Sequence, residues 1–369
     1  MKITNVLTDT NVGGAGVLVA SVAGALSDKF DIEIIIPKGS AIKSRLEESG
    51  AKITELPIVG DKSFCASDVS EFYRYFKSHP SDIVHTHASL SARIGATFAG
   101  GAFRISTRHC AYDDKGKKKT GFLQRRLYDL CTDITVSTAD FATKNLENEG
   151  IPRKKIVTIR NGVAPRRITS AEEKRNLKAS LGIPANAKIL GCCARLEWVK
   201  GQDLLLRAMT ELLQSHQDLY CLFVGDGRLA ADYKRIAAAL GVLSRVRFCG
   251  YTSDPTPYQN LFFLNVNTSR GTETSCLANS ECMSLGIPTV ASDFGGNTEM
   301  ITEEKNGLLF KADDYKALTR AVERVLSDAG LYSKLKAGAL DIYQSRFSID
   351  IMKNNYLKLY EECVAMKRR

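Results

Sequence analysis

The chain has 369 residues, long for one core and enough for two, with 44% hydrophobic and 25% charged residues, as in an ordinary soluble globular protein. No run approaches the roughly 20 apolar residues that span a bilayer, and the opening MKITNVLTDTN turns polar too soon for a signal peptide. The ten cysteines show no CxxC spacing and are expected to be reduced, small buried hydrophobes of a cytosolic protein. The net charge of +10 is uneven: residues 1–168 carry 25 Lys/Arg against 18 Asp/Glu. Such an excess suits nucleic acid, an anionic membrane or an anionic substrate. Without a zinc finger, an RNP-type aromatic pattern or a basic base-reading helix, nucleic acid is set aside.

Short β-branched runs alternate with amphipathic stretches, the pattern of parallel sheets with crossover helices. In the first half, strands are predicted at Ile3–Thr8, Ile32–Ile36, Lys52–Leu56, Ile83–His87, Arg104–Thr107, Ile134–Ser137 and Ile156–Ile159. Helices are predicted there at Val17–Ser27, Ala41–Ser49, Ser67–Lys77 and Gly121–Leu130. In the second half, strands fall at Lys188–Ala194, Tyr220–Val224, Val246–Cys249, Leu264–Thr268, Thr289–Ser292 and Gly307–Phe310. Helices fall at Gln202–Gln214, Arg228–Leu240, Leu277–Leu285 and Tyr315–Leu326. Between Asn161 and Ala187 the alternation lapses into prolines and a charged helix. The expected architecture is α/β: two tandem Rossmann-like, doubly wound domains facing a cleft. The first would span 1–165, a linker 166–186, the second 187–345, and a helix in 346–369 would pack back toward the first domain. Ligands of such sheets sit beyond the carboxyl ends of the strands.

Arg195 and Lys200 lie in the loop between a predicted strand and helix, where a guanidinium and an ammonium suit a diphosphate. Taken alone, they are equally two solvated loop cations. The stretch Ser269–Glu299 is richer. A loop holding Glu273 precedes a helix that starts near Cys276, with Ser275 a candidate cap and free N–H groups to hold phosphate or sugar oxygens. Glu281 follows one to two turns in, flanked by Cys282, Met283 and Leu285, so part of this helix is expected to be buried. Two carboxylates at that spacing suit sugar hydroxyls, which donate charge-assisted bonds to them. His85 and His87 share one face of a strand; lacking a third ligand, they are expected to be structural.

The ordered set Arg195, Lys200-Gly201, Gly225-Asp226-Gly227, Glu273-x7-Glu281, Gly286-x-Pro288 and Gly295-Gly296 resembles the retaining glycosyltransferases of family 4, with the GT-B fold. Gly13-Gly14 after the first strand, Asp82-Ile-Val-His-Thr-His87 and Asn161-Gly162-Val163 extend the likeness over nearly the whole chain. The resemblance implies a nucleotide-sugar donor, with UDP the expected nucleotide, and a glycan or lipid-linked acceptor. Arg195 and Lys200 would hold the diphosphate, Glu281 would accept from the ribose, and Glu273 would contact the donor sugar. The backbone of Thr274, Ser275, Cys276 and Leu277 would contribute amides, with Gly225 beside them, while Gly13 and Gly14 would let the backbone approach the phosphates. His109 matches a family histidine that contacts the donor sugar beside the acceptor site. No cofactor or metal is implied, since the cations take the metal's place. One departure is plain: the family usually has glycine and an aromatic after the first glutamate, where this chain has Thr274-Ser275-Cys276.

The segment Lys115–Arg126 carries six basic residues and no acid, followed by Leu127 and Leu130. It reads as an interfacial helix on an anionic membrane, peripheral to its inner face, or as a core helix after a basic loop. Two other enzyme classes and a non-enzyme compete: a nucleotide-sugar 2-epimerase, a dinucleotide-linked dehydrogenase, and a non-catalytic sugar-nucleotide-binding subunit. The dehydrogenase is disfavoured because Asn11-Val-Gly-Gly-Ala-Gly16 is not GxGxxG.

Overall fold

Every predicted strand is present in a computed structural model that describes residues 1–10, 13–109, 121–271 and 273–367, without the side chains of 122–124 and 367. The strands of the first sheet are β1 Lys2–Leu7, β2 Asp31–Pro37, β3 Lys52–Leu56, β4 Ile83–His87, β5 Phe103–Arg108, β6 Ile134–Ser137 and β7 Ile156–Thr158. They are ordered β3-β2-β1-β4-β5-β6-β7, and all pair in parallel. The second sheet holds β8 Lys188–Cys193, β9 Leu219–Val224, β10 Val246–Phe248, β11 Leu264–Asn267, β12 Thr289–Ser292 and β13 Gly307–Phe310. Its order is β10-β9-β8-β11-β12-β13, again all parallel. In each sheet the order reverses beside the first strand, between β1 and β4 and between β8 and β11. That reversal is where an open parallel sheet leaves a crevice for ligand.

Burial on both faces explains why the strands read as apolar runs rather than alternations. In the second sheet Leu190, Phe223, Val266 and Val290 pack against Leu205, Met209, Leu318 and Val322 of the flanking helices Gln202–Ser215 and Tyr315–Ser327. In the first, Val6, Ile35 and Val84 pack against Phe72, Phe76 and Ala92.

The chain divides into two units, Met1–Gly162 with Ile349–Arg369, and Val163–Ser348. Residues 166–186 lie in the second. Their helix Ala171–Ser180 opens with a reciprocal Ser170–Glu173 capping box, and Asn260 anchors the segment through Thr169 N (3.0 Å) and Arg167 O (2.9 Å). The final helix Ile349–Lys367 lies in the first unit, against helix Gly14–Leu26 and strands β4 and β5. Its Tyr360 is buried.

Helices Leu90–Ala99, Asp140–Asn148 and Ala329–Ile342 were not expected from the periodicity. Glycine obscures two of them. Gly95 sits where a Cβ would come 2.7 Å from that of Phe72, and Gly338 where one would come 1.8 Å from Lys305 O. Close helix packing selected these residues against their low helix propensity.

Candidate active site

In the second unit, four loops beyond the carboxyl ends of β8, β9, β11 and β12 are pressed together through backbone that lacks side chains. Gly225, at φ 137°, lies where a Cβ would come 2.2 Å from Ala194 O, and Gly227 where one would come 2.4 Å from Leu196 O. Leu196 N donates to Asp226 O at 2.9 Å and Leu229 N to Leu196 O at 3.0 Å. The Gly-Asp-Gly turn is therefore the bed on which Arg195 is presented. Gly295 and Gly296 do the same for the glutamate loop: a Cβ on Gly296 would come 1.8 Å from Thr274 O, and Gly296 N donates to Glu273 O at 2.9 Å.

Lys200 ends a short 3-10 turn, Trp198–Lys200, and its backbone carbonyl accepts from Thr268 Oγ1 at 2.7 Å. Its ammonium meets Glu273 Oε2 at 2.8 Å, and both side chains are largely buried. The same carboxylate oxygen accepts from Ser269 Oγ at 2.7 Å and Asn267 Nδ2 at 3.4 Å. Burial opposes both charges, but the mutual attraction outweighs it, so Glu273 titrates below its ordinary range and Lys200 above. Arg195 is exposed and forms no ion pair with any described residue. One cation is thus pre-paired and its neighbour is available.

Helix Leu277–Ser284 starts just past Glu273. Its N-cap is Cys276, with no side-chain cap bond, so Ser275 does not cap it as the sequence suggested. Asn279 N turns back to Cys276 O at 3.1 Å, which leaves the amides of Leu277 and Ala278 without an intrahelical partner. Burial, then the adjacent Glu273, push the Cys276 thiol up to about 12, which keeps it neutral at neutral pH. Glu281, one turn on, is buried and already engaged. Arg166 Nη2 bonds one oxygen and Gln259 Nε2 donates to the other at 2.6 Å. Thr274 is buried and Ser275 and Leu277 half-buried along the same loop.

In the first unit, Gly13 caps helix Gly14–Leu26, and a Cβ there would meet nothing within 4 Å. Its small size is not required by internal packing. His109 follows β5, and its Nε2 lies 2.8 Å from His87 Nδ1. His87 Nε2 contacts Asn5 Oδ1 at 3.2 Å, and His85 bridges Tyr360 Oη (2.8 Å) and Thr107 Oγ1 (2.6 Å). The rings follow one another at centroid distances of 4.5 and 5.1 Å. Burial pushes His109 down to about 4 and His85 to about 3, so both are neutral imidazoles at pH 7. Among the described residues no group of three or more His, Cys, Asp or Glu is placed to hold a metal ion.

Residues 12–167 match the family model for Glycosyltransferase Family 4, and residues 173–341 the model for Glycosyl transferases group 1. The chain belongs to glycosyltransferase family 4. A lipopolysaccharide core biosynthesis mannosyltransferase of Rhizobium meliloti is 28% identical to this glycosyltransferase over 306 residues, 80% of this chain and 83% of the relative. An uncharacterised glycosyltransferase of Methanocaldococcus jannaschii is 26% identical over 308 residues, 78% and 77% of the two chains. Among solved structures, a glycosyltransferase of Rickettsia africae superposes with a TM-score of 0.83 at 22% identity, covering 98% of both chains. Anabaena HepE in complex with UDP superposes with a TM-score of 0.84 at 19% identity, covering 98% of this chain and 100% of that one. The two doubly wound sheets of the glycosyltransferase are thus those of the GT-B fold.

Sequence reasoning missed the residues beneath this enzyme's candidate site. Asn265 and Asn267 on β11, Asn279 on the helix and Asn297 form a buried amide network. Its links are Asn265 Nδ2 to Asn279 Oδ1 at 2.9 Å and Asn267 Nδ2 to Asn297 Oδ1 at 3.1 Å. The signal was present: two asparagines at period two in a strand that is otherwise apolar. Arg166 and Gln259, the partners of Glu281, lie 115 and 22 residues away from it and left no local trace.

Proposed function

We propose that the enzyme transfers a hexose-type sugar, with retention of anomeric configuration, from a UDP-sugar to a glycan or lipid-linked acceptor in cell-surface polysaccharide or glycolipid synthesis. The observation that carries this reading is the unpaired Arg195 beside the buried Lys200–Glu273 pair, at the start of helix Leu277–Ser284. A diphosphate bound there meets an exposed guanidinium, an ammonium already held in place and the helix amides. All stabilise the charge that develops as it leaves. The lysine would share its charge between Glu273 and the phosphate, while Glu273, donated to by Ser269 and Asn267, accepts from a sugar hydroxyl. Glu281 keeps lone pairs for the ribose hydroxyls beyond those used by Arg166 and Gln259.

The bond between the anomeric carbon and the phosphate oxygen breaks as the acceptor oxygen bonds to that carbon from the same face. The acceptor proton passes to the departing phosphate. This chemistry needs no divalent cation, because Arg195 and Lys200 supply the positive charge, and turnover is expected to persist with a chelator present. Support for UDP comes from Anabaena HepE, a neighbour in fold solved with UDP and with UDP-glucose. Support for a surface-glycan acceptor comes from the Rhizobium mannosyltransferase of lipopolysaccharide core. The first unit would serve the acceptor, with Gly13 and Gly14 near the donor phosphates and His109 beside the transferred sugar.

No helix among the described residues is long and apolar enough to cross a membrane. Helix Phe122–Cys131 exposes Leu127 and Leu130 beside Arg126, which supports reversible contact with an anionic membrane; Lys115–Lys119 lie outside the described residues. Thermal shift with UDP-, GDP- and ADP-sugars tests the donor, because ligand bound to the native state raises the melting temperature. The largest rise is expected with a UDP-sugar. No rise with any of the three would overturn the reading.

A further inference from the structure

The first unit holds a cavity of about 450 Å³ lined by Asp9, Arg93, Arg108, His109, Arg125 and Glu149, among others. Three arginines and three carboxylates line it, but among the described residues Arg108 is the only one of those arginines paired with one of those carboxylates. Arg108 pairs with Glu149, and Asp129, also on the wall, pairs with Lys155 at 3.0 Å. Arg93 and Arg125 have no carboxylate partner among the described residues. Arg93, on helix Leu90–Ala99, is buried: its Nε donates to Ser89 O at 3.2 Å, its Nη1 to Thr132 Oγ1 at 2.8 Å, and its Cζ lies 4.7 Å from the Tyr128 ring centroid. Neutral acceptors and an aromatic face hold it in place without cancelling its charge. Arg125 stands one turn before Tyr128, and its guanidinium lies against the bare backbone of Gly150, where a Cβ would come 2.6 Å from its Cζ. Its Nε is buried without a hydrogen-bond partner among the described residues.

A buried cation without a counter-ion is costly and an unmet donor adds to that cost, which a bound anion would relieve. We propose that this cavity binds an anionic group of the acceptor, a phosphate or a carboxylate, with Arg93 and Arg125 as its counter-charges. The proposal rests on the reading of the first unit as the acceptor side and names the chemical class that side selects. Two separated guanidiniums suit an oxyanion through forked, charge-assisted bonds that a neutral sugar cannot reproduce. Asp9, at the end reached from β1, is raised by burial and by neighbouring Asp61, and suits the hydroxyl-bearing part of the same molecule.

The test uses the full chain in saturating UDP, so that the second unit offers no vacant phosphate site; a UDP titration run first reports on the donor reading by itself. Glycerol 3-phosphate and glycerol, then micelles of phosphatidic acid and of phosphatidylcholine, are titrated into wild type, Arg125→Gln, Arg125→Lys and the exposed-site control Lys77→Gln. Saturable, phosphate-dependent binding is expected, weakened about tenfold or more in Arg125→Gln, partly kept in Arg125→Lys and unchanged in Lys77→Gln. If only phosphatidic acid shows that dependence on Arg125, the anion is lipid-borne and the proposal stands. Equal binding by wild type and Arg125→Gln, or no binding of either phosphate probe, would overturn it.

Discussion

Around their candidate sites the two units handle ionisable groups in opposite ways, although elsewhere the first unit also matches buried charge, as at Glu33 with Lys2 and Lys52. In the second, charge is kept and matched: Lys200 against Glu273, Arg166 against Glu281, each with further hydrogen bonds from neutral neighbours. At the first unit's cavity the histidines have surrendered their charge, and two arginines have no carboxylate partner among the described residues. Internal pairing holds a site in shape before its ligand arrives, because both partners restrain each other. An unmatched charge instead waits for a ligand to complete it. The second unit's candidate site is thus held in shape by its own pairs, while the first unit's cavity leaves charge open to a ligand.

Breaking the matched side should have the largest effect. Lys200→Ala removes the diphosphate's ammonium and leaves Glu273 buried without its counter-ion. Turnover is expected to fall by roughly two to three orders of magnitude. Stability should fall by about 3–5 kcal/mol, the usual result of breaking a buried pair from one side. Adding Glu273→Gln should recover much of the stability and none of the turnover, as read by urea unfolding and steady-state kinetics. Equal instability of the single and double variants would mean the pair does not couple as described.

The glycine contacts come next. Gly296 has φ −66°, which any residue adopts, so Gly296→Ala tests steric approach alone. Its Cβ would fall 1.8 Å from Thr274 O, and the forced shift is expected to cost about 3 kcal/mol and to displace the loop that carries Glu273. A variant as stable as wild type would show that the two loops can part freely.

The neutral side has a smaller effect, visible in pH. Because His85 and His109 titrate near 3 and 4 when folded and near 6.5 when free, the unfolded chain binds more protons between those values. Stability therefore falls as pH drops below 6.5, by on the order of 1 kcal/mol per pH unit for each histidine until its folded value is reached. Melting temperatures from pH 7 to pH 5 should decline, and less steeply in His109→Asn. A profile flat over that range would contradict neutral burial.

Both sheets were legible in the sequence because strands buried on two faces read as apolar runs, as at Ile34–Ile36 and Tyr220–Val224. The charged residues gathered at the candidate site were legible for a different reason: Arg195, Lys200, Glu273 and Glu281 sit at fixed offsets from strand ends and turn glycines. Their partners were not, since Arg166 meets Glu281 across 115 positions by folding alone. The unmatched arginines were equally hidden. Arg93 lies in a helix whose Gly95 masked it, and its lack of a carboxylate is a property of its neighbours in space.

Arg195 separates binding from folding, because it is exposed and unpaired. Arg195→Ala should change stability by no more than about 0.5 kcal/mol. The decisive measurement is calorimetric titration of UDP into wild type and Arg195→Ala. The account predicts saturable binding by wild type that weakens about tenfold or more in the variant, at unchanged melting temperature. Equal affinity of the two proteins for UDP would contradict the assignment of this loop to the donor diphosphate.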